Sequence, residues 1–164
     1  MKIGIIGAGR LGLTFALLCQ KAGYEVLVSD VREDYIYNLN QRICFTNEPL
    51  IQKMLFEVEN FSGTTDNLEI IRNCDLIFTF VATPSTLEGN YDTSAVFEVA
   101  NQFYTASSLD IPLHDKKFIV GCTTNPGDVF QIQNSLYKFN IQVAYNPRSE
   151  EHTSELQSQF RISY

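Results

Sequence analysis

"KIGIIGAGRLGLTFALLCQKAGYEVLVSD", residues 2–30, decides the fold. Ile3, Ile5 and Ile6 predict a strand over Lys2–Gly7, apolar residues at helical spacing predict a helix over Leu11–Ala22 stopped by Gly23, and Glu25–Asp30 reads as a second strand. Gly7, Gly9 and Gly12 form G-x-G-x-x-G across the strand-to-helix turn, the context that turns a weak pattern into a strong one. Gly7 permits the tight turn, Gly9 leaves the backbone bare for a pyrophosphate, and Gly12 lets the helix pack closely on the strand. The helix N-terminus then faces the phosphates. The dinucleotide-binding set read from this turn is Gly7, Ala8, Gly9, Arg10, Leu11 and Gly12, with Arg10 equally able to approach the pyrophosphate or to point to solvent. Asp30 closes the second strand, where a carboxylate can accept from adenosine ribose hydroxyls and repel a 2′-phosphate. NAD is therefore expected over NADP, and Arg32 is read as a solvated side chain.

Working outward, Asp75–Val81, Lys117–Thr123 and Ile141–Tyr145 read as further strands, rich in Val, Ile, Leu and Phe with little polar alternation. Asp34–Asn40, Glu48–Val58, Thr93–Ala106 and Val129–Phe139 read as helices, the second opened by Pro49 where proline is tolerated. This alternation predicts an α/β fold, a Rossmann-type doubly wound, mainly parallel sheet with helices on both faces. Two more loops leave the C-terminal ends of strands, where such sheets place ligands. They are "FVATPSTLEGN" (80–90) and "VGCTTNPGD" (120–128). The hydroxyls of Thr83 and Thr123 can donate to a cofactor ribose or amide, or can bond their own turns; spacing alone leaves both readings open.

Length and charge exclude several classes. A chain of 164 residues is one ordinary domain, and its net charge of −7 and pI of about 4.7, with no basic run longer than Lys116-Lys117, argue against nucleic-acid or anionic-membrane partners. The longest apolar runs, such as Leu76–Ala82, fall far short of a membrane span, and the amino terminus lacks a signal-peptide layout. A cytoplasmic protein is expected. Cys19, Cys44, Cys74 and Cys122 lie far apart without a CxxC, so reduced, mostly buried thiols are expected and no metal site. With His114 and His152 the only histidines, a Ser/His/Asp or Cys/His nucleophile has little to build on.

Several ordered motifs resemble the NAD-binding domain of the UDP-glucose/GDP-mannose dehydrogenase family, the nucleotide-sugar 6-dehydrogenases, from Met1 to Pro147. Beyond the glycine turn these are "NEPLIQKML", similar to the family's Glu-Pro-Gly-Leu helix start, "VATPSTLEGNYDTSAV", similar to its Val-Gly-Thr-Pro loop, "CTTNPGD", similar to its Ser-Thr-Val-Pro-x-Gly-Thr turn, and "AYNP", similar to the Asn-Pro before a catalytic glutamate. The resemblance implies that Gly7, Gly9 and Gly12 hold the pyrophosphate, Asp30 the adenosine ribose, and Thr83 and Thr123 the nicotinamide end, with Thr123 in a supporting catalytic role only. It implies an enzyme of polysaccharide biosynthesis that oxidises a UDP- or GDP-sugar primary alcohol to the uronic acid with two NAD, as a homo-oligomer. Tyr35 stands where many members carry Lys or Arg, Leu50-Ile51 replace Gly-Leu, and Cys122 replaces a serine. None of the four cysteines lies in the family's Gly-Phe-Gly-Gly-x-Cys setting, so this chain is expected to lack the nucleophilic cysteine, lysine and glutamate and to be inactive alone. Two other readings of the glycine turn are an NAD-sensing regulatory module and a dehydrogenase of the 3-hydroxyacid type. The Thr83-Pro84 and Thr123 loops argue against the first, and the "NEPL" and "CTTNPG" pair against the second.

After Asn146-Pro147 the pattern breaks. Arg148–Ser158, "RSEEHTSELQS", resembles the in-frame translation of a common sequencing-library adapter, with Gln159-Phe160-Arg161 in the barcode position and Ile162-Ser163-Tyr164 continuing the constant segment. Residues 1–147 are therefore read as a truncated NAD-binding Rossmann domain and residues 148–164 as a non-native tail, expected to be disordered. Source DNA read across the codon for Pro147 is expected to encode Glu and then an apolar residue. A genomic Arg-Ser-Glu-Glu-His-Thr-Ser at that point would overturn the adapter reading.

Overall fold

Strand β1 (Lys2–Ile6) carries isoleucines on both faces, which suits it to the middle of a sheet covered on both sides. The computed structural model of the chain describes residues 1–46 and 48–147. Among these, β1 is joined by β2 (Glu25–Ser29), β3 (Phe61–Thr64), β4 (Leu76–Thr79), β5 (Lys117–Val120) and β6 (Gln142–Tyr145). The sheet order is β3-β2-β1-β4-β5-β6, and every pairing is parallel. The fold is Rossmann-like and doubly wound, with the order reversing between β1 and β4.

Alternate residues of each strand feed opposite faces. Ile3, Ile5, Val26 and Val28 pack with Leu13 and Leu17 of α1 (Arg10–Lys21), Ile36 and Leu39 of α2 (Glu33–Asn40), and Ile51 and Leu55 of α3 (Pro49–Glu57). Ile6, Leu27, Ile77 and Phe118 pack on the other face with α4 (Asn67–Asn73), α5 (Ser94–Ser108) and α6 (Asp128–Leu136). Both layers are needed because a sheet this apolar leaves no face for water.

Two elements go beyond the sequence reading. β3 is four residues, FSGT, paired on one side only, and Phe61 is its one buried residue, so no apolar run marks it. α4 is seven residues, too short for periodicity to emerge, although Asp66 caps it by accepting from the Leu68 N–H at 2.8 Å. The strands expected over Asp75–Val81 and Lys117–Thr123 end sooner, at Thr79 and Val120, because the residues beyond them splay into loops. The helix expected over Val129–Phe139 starts at Asp128, ends at Leu136 and tightens into a 3-10 turn over Tyr137–Phe139. All four cysteines are free; Cys74 and Cys122 are buried, while Cys19 and Cys44 are half-exposed, so burial holds for two of the four. Among the described residues no helix is long and apolar enough to cross a membrane. The tail expectation, with His152, falls on residues 148–164 and lies outside the described residues.

Phe103 of α5 is fully buried and meets Phe118 of β5 edge-on, ring centroids 5.3 Å apart. Phe103→Ala is expected to cost about 3–5 kcal/mol in urea unfolding, from lost burial and a cavity the rigid sheet cannot fill. A loss under about 1 kcal/mol would show that the second face is not a packed core.

Candidate functional site

At the reversal of strand order, the C-terminal ends of β1, β2, β4 and β5 open into a cavity of about 790 Å³. Gly7, Gly9, Arg10, Leu11, Asp30, Thr83 and Thr123 all line it, so the structure brings together seven of the nine sequence-predicted residues. The other two stand behind the wall. Ala8 is fully buried, its N–H donating to the Ser29 carbonyl at 3.0 Å and its own carbonyl accepting from the Tyr35 hydroxyl at 2.7 Å. Gly12 is buried where an added Cβ would collide with the Gly7 carbonyl oxygen.

The glycines divide the work of the turn. Gly7 has φ +92°, the left-handed region, and a Cβ there would also come within 2.8 Å of the Phe80 carbonyl. Gly9 differs: a Cβ would meet nothing within 4 Å, so its bare backbone faces open space. α1 begins at Arg10 with no side-chain cap, and the N–H groups that any helix leaves open in its first turn stand at the cavity wall. This cradle fits a pyrophosphate, whose charge the helix dipole favours. The Arg10 side chain, left open by the sequence between pyrophosphate and solvent, pairs at the surface with Glu48, its Nε donating to Oε1 at 2.8 Å.

Asp30 is held differently from the reading in which Arg32 is merely solvated. Arg32 donates Nε to Oδ1 at 2.8 Å and Nη2 to Oδ2 at 2.9 Å, and its backbone N–H reaches Oδ1 at 3.2 Å. Its guanidinium also lies 4.1 Å over the ring of Tyr35, whose hydroxyl is anchored on Ala8. Burial raises the Asp30 carboxyl, but the hydrogen bonds and charge of Arg32 together outweigh it and hold the group below its ordinary value. A carboxylate there is ionised at neutral pH and able to accept hydroxyl hydrogen bonds on its remaining lone pairs. Burial pushes the Tyr35 hydroxyl up to about 12, so Tyr35 remains a neutral donor.

At the far end the loops after β4 and β5 carry Thr83 and Thr123, both half-buried. Other groups close these loops: the Asp92 N–H donates to the Pro84 carbonyl at 2.8 Å, Thr86 N–H to Asn90 at 2.7 Å, and Asn125 N–H to Asp128 Oδ2 at 2.9 Å. Sequence reasoning passed over Asn125, which it took for part of an Asn-Pro-Gly turn. Its side-chain amide accepts from the Tyr91 N–H at 2.9 Å and donates to the Tyr91 carbonyl at 2.8 Å. The signal in the sequence was an asparagine, a residue able to do both at once. Cys122 also lines the cavity, and burial pushes its thiol up to about 11. It is protonated at neutral pH and offers no thiolate nucleophile.

The sequence matches the UDP-glucose/GDP-mannose dehydrogenase family, NAD binding domain, over residues 1–162. It is 30% identical over 155 residues to a UDP-glucose 6-dehydrogenase of Rickettsia bellii, covering 90% of this chain and 34% of that protein. It is also 30% identical over 149 residues to an uncharacterised protein of Methanocaldococcus jannaschii, covering 90% of this chain and 16% of that one. The fold superposes on a ternary complex of GDP-mannose dehydrogenase from Pseudomonas aeruginosa with a TM-score of 0.80 and 25% identity, over 97% of this chain and 38% of that one. The chain thus spans well under half the length of these proteins. The bare glycine cradle at the helix start, the carboxylate at the end of β2 and the extent of the match agree: the chain belongs to the UDP-glucose/GDP-mannose dehydrogenase family and carries its NAD-binding domain.

Proposed function

We propose that residues 1–147 are the NAD-binding half of a nucleotide-sugar 6-dehydrogenase, whose full-length form oxidises a UDP- or GDP-sugar primary alcohol to the uronic acid with two NAD. The observation that carries this is a single cavity lined by Gly9 beyond β1, Asp30 beyond β2 on one side, and Thr83 and Thr123 beyond β4 and β5 on the other. When bound, NAD supplies the hydride acceptor. Gly9 and the first-turn N–H groups of α1 hold the pyrophosphate, Gly7 and Gly12 keep the turn tight enough for it to approach, and Asp30 accepts from the adenosine ribose. Thr83 and Thr123 orient the nicotinamide end, where Thr123 has a supporting role in the chemistry. Ala8, Leu11 and Arg10 shape the turn, with Arg10 free to leave Glu48 for a phosphate. The parent acts in the cytoplasm as a homo-oligomer, in polysaccharide biosynthesis, with a nucleotide sugar as partner and neither nucleic acid nor membrane. We infer from their sequence alone that residues 148–164 are foreign to this domain, although the family match runs to residue 162.

Calorimetry on the 164-residue chain is expected to show NAD bound in preference to NADP, and Asp30→Ala to lose roughly 1.5–3 kcal/mol of NAD affinity, about tenfold to a hundredfold. Equal affinity for the two cofactors, or an indifferent Asp30→Ala, would remove Asp30 from the site.

The chain alone is expected to turn over no nucleotide sugar. Cys122 is protonated and the other three cysteines lie outside the cavity lining, so cofactor positioning is left without a nucleophile. Sustained NADH formation from UDP-glucose, UDP-N-acetylhexosamine or GDP-mannose, above a Gly9→Asp control, would show that these residues suffice.

A further inference from the structure

The cavity end formed by Thr83 and Thr123 has a structural problem. β4 and β5 are paired through Thr79 and Val120, and one more main-chain bond, Gly121 N–H to the Thr79 carbonyl at 2.9 Å, ends the ladder. Beyond it the two chains diverge into separate loops, and loops with no mutual bonds drift. We propose that Asn125 is a positioning residue for the nicotinamide end of the cofactor: it clips the loop carrying Thr83 to the turn carrying Thr123 and sets the distance between them.

The geometry carries the argument. The Asn125 amide satisfies both the N–H and the C=O of Tyr91, offering the donor and acceptor pair that a neighbouring strand would offer, from a residue 34 positions away. Each side of the clip is anchored in turn. Asn125 N–H donates to Asp128 Oδ2, and Asp128 is buried as the first residue of α6, so the turn moves only if the helix moves. Tyr91 bridges Ser85, and the Asp92 N–H donates to the Pro84 carbonyl, so the restraint reaches the residue next to Thr83. Tyr91, Thr83 and Thr123 all line the cavity, whereas the adenosine end, built on Asp30 and Arg32, shares none of these bonds. A clip of this kind lowers the ordering cost of binding only for the ligand part that lies between the two loops.

The proposal rests on assigning the nicotinamide to the Thr83–Thr123 end, and its test separates the two ideas by comparing NAD with ADP-ribose, which lacks the nicotinamide. With the full 164-residue chain, Asn125→Ala is expected to weaken NAD by roughly fivefold to tenfold while leaving ADP-ribose within about twofold. In the unsubstituted chain, NAD is expected to slow hydrogen exchange of the Tyr91 amide more than ADP-ribose does, which tests the nicotinamide assignment by itself; if Asn125→Ala fails to fold, Asn125→Asp, which keeps the acceptor for the Tyr91 N–H and loses the donor to the Tyr91 carbonyl, takes its place in the affinity comparison. Equal losses for both ligands in Asn125→Ala would mean a merely structural residue and would overturn the proposal, as would an unchanged NAD affinity. If NAD and ADP-ribose are indistinguishable on the unsubstituted chain, by affinity and by exchange, the nicotinamide assignment fails and takes the clip with it. If they differ there and Asn125→Ala keeps the whole difference, only the clip fails.

Discussion

The closeness of α1 to the end of β1 is the constraint on which the rest of this domain depends. Gly12 lies against the Gly7 carbonyl, and Gly7 in turn lies against the main chain of Phe80, so three segments meet with no room for a single Cβ. Any side chain at Gly7 or Gly12 would push the helix off the strand, lift its first turn from the cavity wall and disturb the β1–β4 pairing on which the crevice is built. Phe80 is fixed from the other side as well. Its ring rests on Gly121, stacks in parallel with Phe78 at 6.2 Å and meets Phe15 of α1 edge-on at 5.4 Å. Helix, sheet and loop thus share one aromatic support, and the position of the glycine turn is set by packing rather than by hydrogen bonds to a ligand.

Around that fixed turn the charges are paired. Arg10 with Glu48 and Arg32 with Asp30 each join a cation at the cavity wall to a carboxylate, and both arginines are more than half exposed. The Arg10–Glu48 pair is exposed on both sides, contributes little to stability and exchanges partners readily, whereas in the second pair Asp30 is only 10% exposed. Because the folded Asp30 carboxyl sits below its ordinary value, any stability it adds is complete above the unfolded carboxylate range and fades as pH falls through the folded one. At neutral pH the pair is therefore fully formed, and a ribose meets a carboxylate already oriented by two parallel hydrogen bonds.

How much of this was legible in the sequence follows from what each residue needs for its role. The glycine turn, Asp30 and the two threonine loops announce themselves because residue type and strand position single them out, and residues of each line one cavity. β3 and α4 were invisible because their apolar residues are too few to show a period; only sheet pairing to β2, for the one, and packing against β1 and α5, for the other, make them regular. Arg32 and Asn125 belong to a third kind. Their partners, a carboxylate two residues away and a main chain 34 residues away, are set by loop geometry that no spacing encodes. Tyr35 is similar: its hydroxyl finds Ala8 only after α2 has docked beside the turn.

The reversal of strand order also governs how the chain assembles. β1 pairs with β2 across a short span, Lys2 with Glu25, whereas its other neighbour is reached only when Ile3 meets Leu76. Closing the longer loop costs more chain entropy, and parallel pairing gives nothing back until it is complete. The glycine turn is local and belongs to the early β1-α1-β2 unit, while the crevice needs β4 in place beside it. We expect the domain to pass through a stage in which the phosphate cradle exists but has only one wall, so that cofactor present during refolding would act on the last docking step and leave the first unaffected.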